Sequence, residues 1–186
     1  MSRLVEDAPG VPAAVLRRAS PFLPLRRIVV IQGERRVSGD PHVMFTTVLG
    51  SCIAACLFDP EAGIGGMNHF LLAEPKADRA DRRSIRSYGL YAMAGLIDEM
   101  LARGAMRHRL RARLYGGAAM QNSLRDIGRS NSSFARQYLR DQKVMVVGED
   151  VGGCSARRVD FHAALGLARS RLIAAAPVAA APQQRN

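Results

Sequence analysis

Between Arg27 and Leu72 four short apolar runs follow one another: Arg27 to Gln32 (RIVVIQ), Val43 to Val48, Ile53 to Phe58 and Ile64 to Leu72. All are rich in β-branched residues and bounded by Gly, Asp or Pro, which predicts strands rather than helices. Asp59-Pro60, followed by Glu61-Ala62-Gly63, marks a tight reversal and so a hairpin between the last two runs. From Tyr88 to Ala102 the period changes, with Leu90, Met93, Ala94, Ile97, Met100 and Leu101 on one helical face and Arg103-Gly104 closing the helix. Further strands are expected at Leu110 to Tyr115, Lys143 to Val147 and Arg157 to Phe161, and a second helix at Ser132 to Arg140. Hairpins mixed with helices predict an α+β or a layered α/β domain with a mixed sheet.

A chain of 186 residues can bury one sizeable core. Residues 1–26 mix Pro, Ala and Arg without a sustained period and read as a basic N-terminal extension. From residue 175 the proline-punctuated AAPVAAAPQQRN reads as a disordered tail, which leaves one domain over 27–174. No run approaches the ~18 apolar residues of a membrane span, and the N-terminus lacks the uninterrupted apolar core of a secretory signal. Three cysteines cannot all pair, so a reduced, cytoplasmic setting is expected. The net charge of +11 comes almost wholly from arginine, since Lys76 and Lys143 are the only lysines, and it favours an acidic partner. Nucleic acid ranks below protein as that partner: only Arg103 to Arg113 forms a basic patch, and aromatic side chains for stacking are few.

Cys52, Cys56 and His69 crowd into this strand-rich segment, and Cys154 lies in a loop-like GGCSAR. As metal ligands the first two are badly spaced, for a C-x3-C on a strand separates the side chains by about 13 Å at about 3.3 Å per residue. Cys56, inside AACLF, suits a packed core. Cys52 differs, because Gly50 and Ser51 precede it at a strand end, where a glycine lets the backbone approach a ligand and present amides to an oxyanion. The hairpin would lay His69 beside it on a strand about 4.8 Å away. Such an imidazole would lower the thiol's pKa and activate it as a nucleophile, with Thr46 or Thr47 available to orient the ring. A thiol with an imidazole base needs no Lewis acid, so neither metal nor cofactor is expected.

The blocks TTVLGSCIAACLFDP, GIGGMNHFLL, YGLYAMAGLIDEMLARGA, LRARLYGGAAM, IGRSNSSFARQYL and DVGG, in that order, resemble the CheD family of chemoreceptor glutamine deamidases over about Val43 to Leu172. The resemblance implies a layered α/β sandwich similar to the catalytic domain of the deamidating cytotoxic necrotizing toxins. It implies that Cys52 is the nucleophile, His69 the base and Thr46, six positions before the cysteine, the third member. It further implies methyl-accepting chemotaxis receptors as substrates and interaction with the phosphatase CheC in some bacteria; because a methyl ester would pass through the same acyl-enzyme, receptor methylesterase activity is a second expectation for the site. The arginine-rich first forty residues and the cysteine of GGCSARR depart from the family pattern without touching these positions. A non-catalytic regulator that binds receptor or CheC is the rival reading.

Overall fold

The structure, a computed structural model, describes residues 24–72, 82–119 and 127–173. Apart from residues 24–26 of the extension, both the N-terminal extension and the tail lie outside these. The chain forms β1 (Arg26–Val29), β2 (Arg35–Ser38), β3 (Val43–Leu49), β4 (Ile53–Asp59), β5 (Ile64–Phe70), α1 (Arg82–Ala102), β6 (Arg111–Gly116), α2 (Ile127–Asp141), β7 (Met145–Val151), β8 (Arg157–His162) and β9 (Leu167–Leu172).

Two mixed sheets result. One has the order β1-β3-β8-β9 with β1 and β3 parallel, and the other the order β2-β5-β4-β6-β7 with β6 and β7 parallel. The predicted hairpin is present: β4 and β5 pair antiparallel from Ile53↔Phe70 to Asp59↔Ile64. Asp59 closes its turn by accepting the backbone N–H groups of Glu61 and Ala62 on Oδ1, at 3.0 and 3.1 Å.

Alternation along β4 separates two cores. Ile53, Ala55 and Leu57 pack with Met93, Leu96, Ile97 and Met100 of α1 and Ala135 and Leu139 of α2. Ala54, Cys56 and Phe58 face Phe45, Leu49, Val159 and Phe161 of the other sheet. The architecture is thus three layers, sheet on sheet on helices, with β4 buried on both faces. That double burial explains why β4 reads as an unbroken apolar run.

Two strands escape the sequence reading. β2 (RRVS) and β9 (LARSRL) are edge strands, where polar and charged side chains are favoured and the apolar signal is weak. On α1 the inward face includes Leu96, whereas Leu90 is exposed. The second helix begins at Ile127, earlier than its sequence suggests, because Gly128, Ser130 and Asn131 are weak helix formers.

Candidate functional site

His69 of the five-stranded sheet meets Thr47 of the four-stranded one, and Cys52 lies at the same end of the hairpin as His69. On β5, Met67 faces the inter-sheet core, and His69, two residues on, shares that face. Its direct partner across the hairpin is Ala54. Cys52 continues β4 by one residue, lies two positions from Ala54, and packs half-buried against the same inter-sheet cluster. The hairpin thus places Cys52 two positions from the residue that His69 faces, rather than directly opposite the ring.

The ring is held from the opposite sheet, and by Thr47 rather than Thr46. The Thr47 hydroxyl has one hydrogen, which it donates to the Val30 carbonyl at 2.7 Å. Toward Nδ1 of His69, 2.9 Å away, it can only accept. Nδ1 also lies 3.3 Å from the Val30 carbonyl oxygen, a second acceptor. Nδ1 must then carry the ring hydrogen, which leaves the lone pair on Nε2. Nε2 is buried and has no hydrogen-bond partner among the described residues.

Thr46 turns the other way, its hydroxyl donating to Oδ1 of Asp160 on β8 at 2.8 Å. This corrects the expectation that Thr46 orients the ring. The physical reason is the period of β3: Val43, Phe45 and Leu49 enter the inter-sheet core, and Thr47 shares their parity.

Burial dominates the electrostatics. It lowers the His69 pKa, against a smaller opposite effect of the Val30 carbonyl, so the ring is kept neutral. It also raises the Cys52 thiol, with the residue's own backbone N–H pulling the other way. Both directions favour the neutral forms, thiol and imidazole, at rest. Cys56 is fully buried and its thiol is pushed up by desolvation, and Cys154 is exposed.

The loop that carries Cys52 is tied down by its carbonyls. The Gly50 carbonyl accepts from Ala118 N–H at 2.8 Å, that of Ser51 from Asn131 Nδ2 at 2.7 Å, and that of Cys52 from Gly117 N–H at 2.7 Å. Asn131, fully buried on α2, also accepts the Leu72 N–H at 2.9 Å, so one amide braces both ends of the hairpin. Sequence reasoning takes Gly116-Gly117 only as the end of a strand and does not single out Asn131, for which a buried asparagine on an amphipathic helix was the available signal.

A cleft of about 320 Å³ opens beside the ring, walled by Val29, Val30, Ile31 and Val48 and edged by Gln32, both threonines and Arg158. Among the described residues, no group of three or more His, Cys, Asp or Glu side chains is placed to hold a metal ion, and no helix is long and apolar enough to cross a membrane.

Comparison with known proteins adds the following. The family model described as CheD chemotactic sensory transduction matches residues 71–171, a span that begins after His69. A Zymomonas mobilis protein named "Probable chemoreceptor glutamine deamidase CheD" is 60% identical over 146 residues, covering 78% of this chain and 80% of its own. Proteins of the same name from Caulobacter vibrioides and Caulobacter sp. (strain K31) are 51% identical over 148 residues and 52% over 151, covering 80% and 81% of this chain and 79% and 80% of theirs. Among solved structures, the Bacillus licheniformis hypothetical protein YfiH superposes with a TM-score of 0.44 at 13% identity, over 70% of this chain and 61% of that one.

Proposed function

The chain belongs to the CheD family, and on that premise we propose that it is a protein-glutamine deamidase acting in the cytoplasm on methyl-accepting chemotaxis receptors. The observation that carries this reading is the commitment of His69 Nδ1 to Thr47 and Val30, which leaves Nε2 unpartnered on the face that Cys52 shares.

Nε2 takes the proton from Sγ of Cys52, and the sulfur adds to the side-chain amide carbon of a receptor glutamine while the carbonyl electron pair moves onto oxygen. The amides of Ser51 and Cys52, in the loop after Gly50, are suited to receive that oxyanion. His69, now protonated, gives its proton to the nitrogen, and ammonia leaves a thioester. Neutral again, His69 removes a proton from water, which adds to the thioester and yields glutamate and free thiol. A methyl ester passes through the same acyl-enzyme, so receptor methylesterase activity shares the site. In this reading Cys52, His69 and Thr47 act on the chemistry, and Thr46 supports it by fixing β3 to β8 through Asp160.

The net charge of +11 and Arg158 at the cleft suit an acidic helical region of the receptor, and CheC is a further candidate partner. Mass spectrometry of receptor incubated with the chain tests the proposal. The exchange of NH₂ for OH at specific glutamines is expected with the wild type and with Cys154→Ala, and is expected to be lost with Cys52→Ala. A Cys52→Ala chain that still converts glutamine would refute the mechanism. A wild type that binds receptor or CheC but converts nothing would instead favour the non-catalytic regulator.

A further inference from the structure

We infer that Gln32 is a further catalytic residue of the proposed reaction: its side-chain amide covers the Cys52 thiol at rest and donates to the negative charge once the sulfur has lost its proton. The inference rests on the deamidase reading above and adds a residue to it.

Gln32 sits in a turn that crosses from one sheet to the other. Glu34 N–H donates to the Ile31 carbonyl at 3.0 Å and Gly33 has φ 89°, so Ile31 to Glu34 form a type II turn, with glycine where φ must be positive. This turn carries the chain from β1 in the four-stranded sheet to β2 in the five-stranded one, past the site. It is fastened to the catalytic base itself: Gly33 N–H donates to the His69 carbonyl at 2.8 Å, and His69 N–H donates to the Glu34 carbonyl at 3.0 Å. One residue earlier in the same segment, Val30 accepts from the ring and from Thr47. The backbone of Gln32 is thereby fixed relative to His69.

From that position the side chain reaches the nucleophile. The Cys52 S–H donates to Oε1 of Gln32 at 3.5 Å, and Gln32 lines the same cleft as His69 and Thr47. A thiol is a weak donor and Gln32 is otherwise exposed, so this contact adds little to stability. Its chemical consequence is larger. A carboxamide carries an acceptor and a donor on one carbon, and a half-turn about its last torsion exchanges them. While sulfur holds its proton, Oε1 is the complementary group. When Nε2 of His69 has taken that proton and the sulfur has added to the substrate carbon, the charge passes to the substrate oxygen, and the Gln32 amide N–H becomes complementary. A donor used only after proton transfer favours the transition state over the ground state.

Gln32→Glu and Gln32→Ala in the full chain test this, with kcat and KM for receptor deamidation measured beside the pH dependence of iodoacetamide alkylation at Cys52. Glutamate keeps the shape and the acceptor but loses the donor. Both variants are expected to lose about 100-fold in kcat with KM unchanged, and the uncharged Gln32→Ala to move the alkylation profile to higher pH, at unchanged melting temperature. Wild-type kcat in Gln32→Ala overturns the inference, as does a lower KM with faster alkylation, which would mark Gln32 as a simple cover. The alkylation arm needs no receptor. Failure of the wild type to convert receptor would sink the deamidase reading alone, and an upward shift in Gln32→Ala would still support a donor at the thiolate. Absence of that shift overturns the inference in either case.

Discussion

Thr46 and Thr47 differ by one position and by the face onto which β3 turns them. Removal of the Thr47 hydroxyl leaves the His69 ring without one of its two acceptors. Such a bond is worth about 0.5–1.5 kcal/mol, and a misoriented base adds to the loss, so Thr47→Ala should lower kcat at least about tenfold with receptor affinity unchanged. Thr47→Ser should retain much of the rate. Thr46→Ala, which frees only Asp160, should cost less than Thr47→Ala; the reverse order in steady-state kinetics would return the ring to Thr46. The base also sets the pH dependence. His69 works only when neutral, and its pKa lies below the ordinary imidazole value, so the acid limb of kcat/KM should fall below about pH 6.5. A midpoint above that value would mean an imidazole stabilised in its charged form. The hairpin that carries Cys52 and His69 was legible because a single recognisable turn defines it. The threonine was not, because two identical neighbours differ only in strand parity. Gln32 was invisible for another reason: it meets Cys52 through tertiary structure, twenty positions away in sequence.

At the scale of elements, the strands of the hairpin and the C-terminal half of α1 could be read from period and punctuation, while the edge strands could not. The more consequential omission was a loop. Gly116, with φ 107°, ends β6 against the Cys52 loop, and a Cβ built there would lie 2.1 Å from the Cys52 carbonyl oxygen. Both the backbone angle and the contact exclude a side chain. Gly116→Ala should therefore displace the nucleophile's loop and destabilise the fold by roughly 1–3 kcal/mol, with a loss of activity that exceeds the fraction unfolded. Denaturant titration beside activity at low temperature separates the two effects. An active, wild-type-stable Gly116→Ala chain would show that this loop does not need its present geometry.

For the whole molecule, one buried charge ties the hairpin turn to the segment after α1. Asp59 is fully buried, and its carboxylate accepts from Met106 N–H at 2.9 Å and pairs with Arg109 at 2.9 Å. Burial by itself would raise its pKa, but the N–H groups of Met106 and Ala62 and the Arg109 guanidinium together hold it below the ordinary carboxylate value. A group depressed on folding stabilises the fold above its unfolded pKa, and that contribution disappears as pH falls through the folded value. The melting temperature of the wild type should accordingly exceed that of Asp59→Asn most at neutral pH, with the gap closing toward acid; a gap that widens in acid would reverse the sign of the linkage. The layers themselves were legible in outline, since short apolar runs around an amphipathic helix imply stacked sheets and helices. The assignment of strands to two sheets was not, because β3 finds β8 across more than a hundred residues and no local pattern encodes that pairing.

That long-range pairing has a consequence for biosynthesis. The hairpin with Cys52 and His69 leaves the ribosome well before Arg157 to Leu172, the strands that complete the sheet behind Thr47. Until then β3 has only β1 beside it, so Thr47, which holds the ring, sits on an unfinished sheet. A nascent chain thus carries its thiol before the sheet that holds Thr47 is complete.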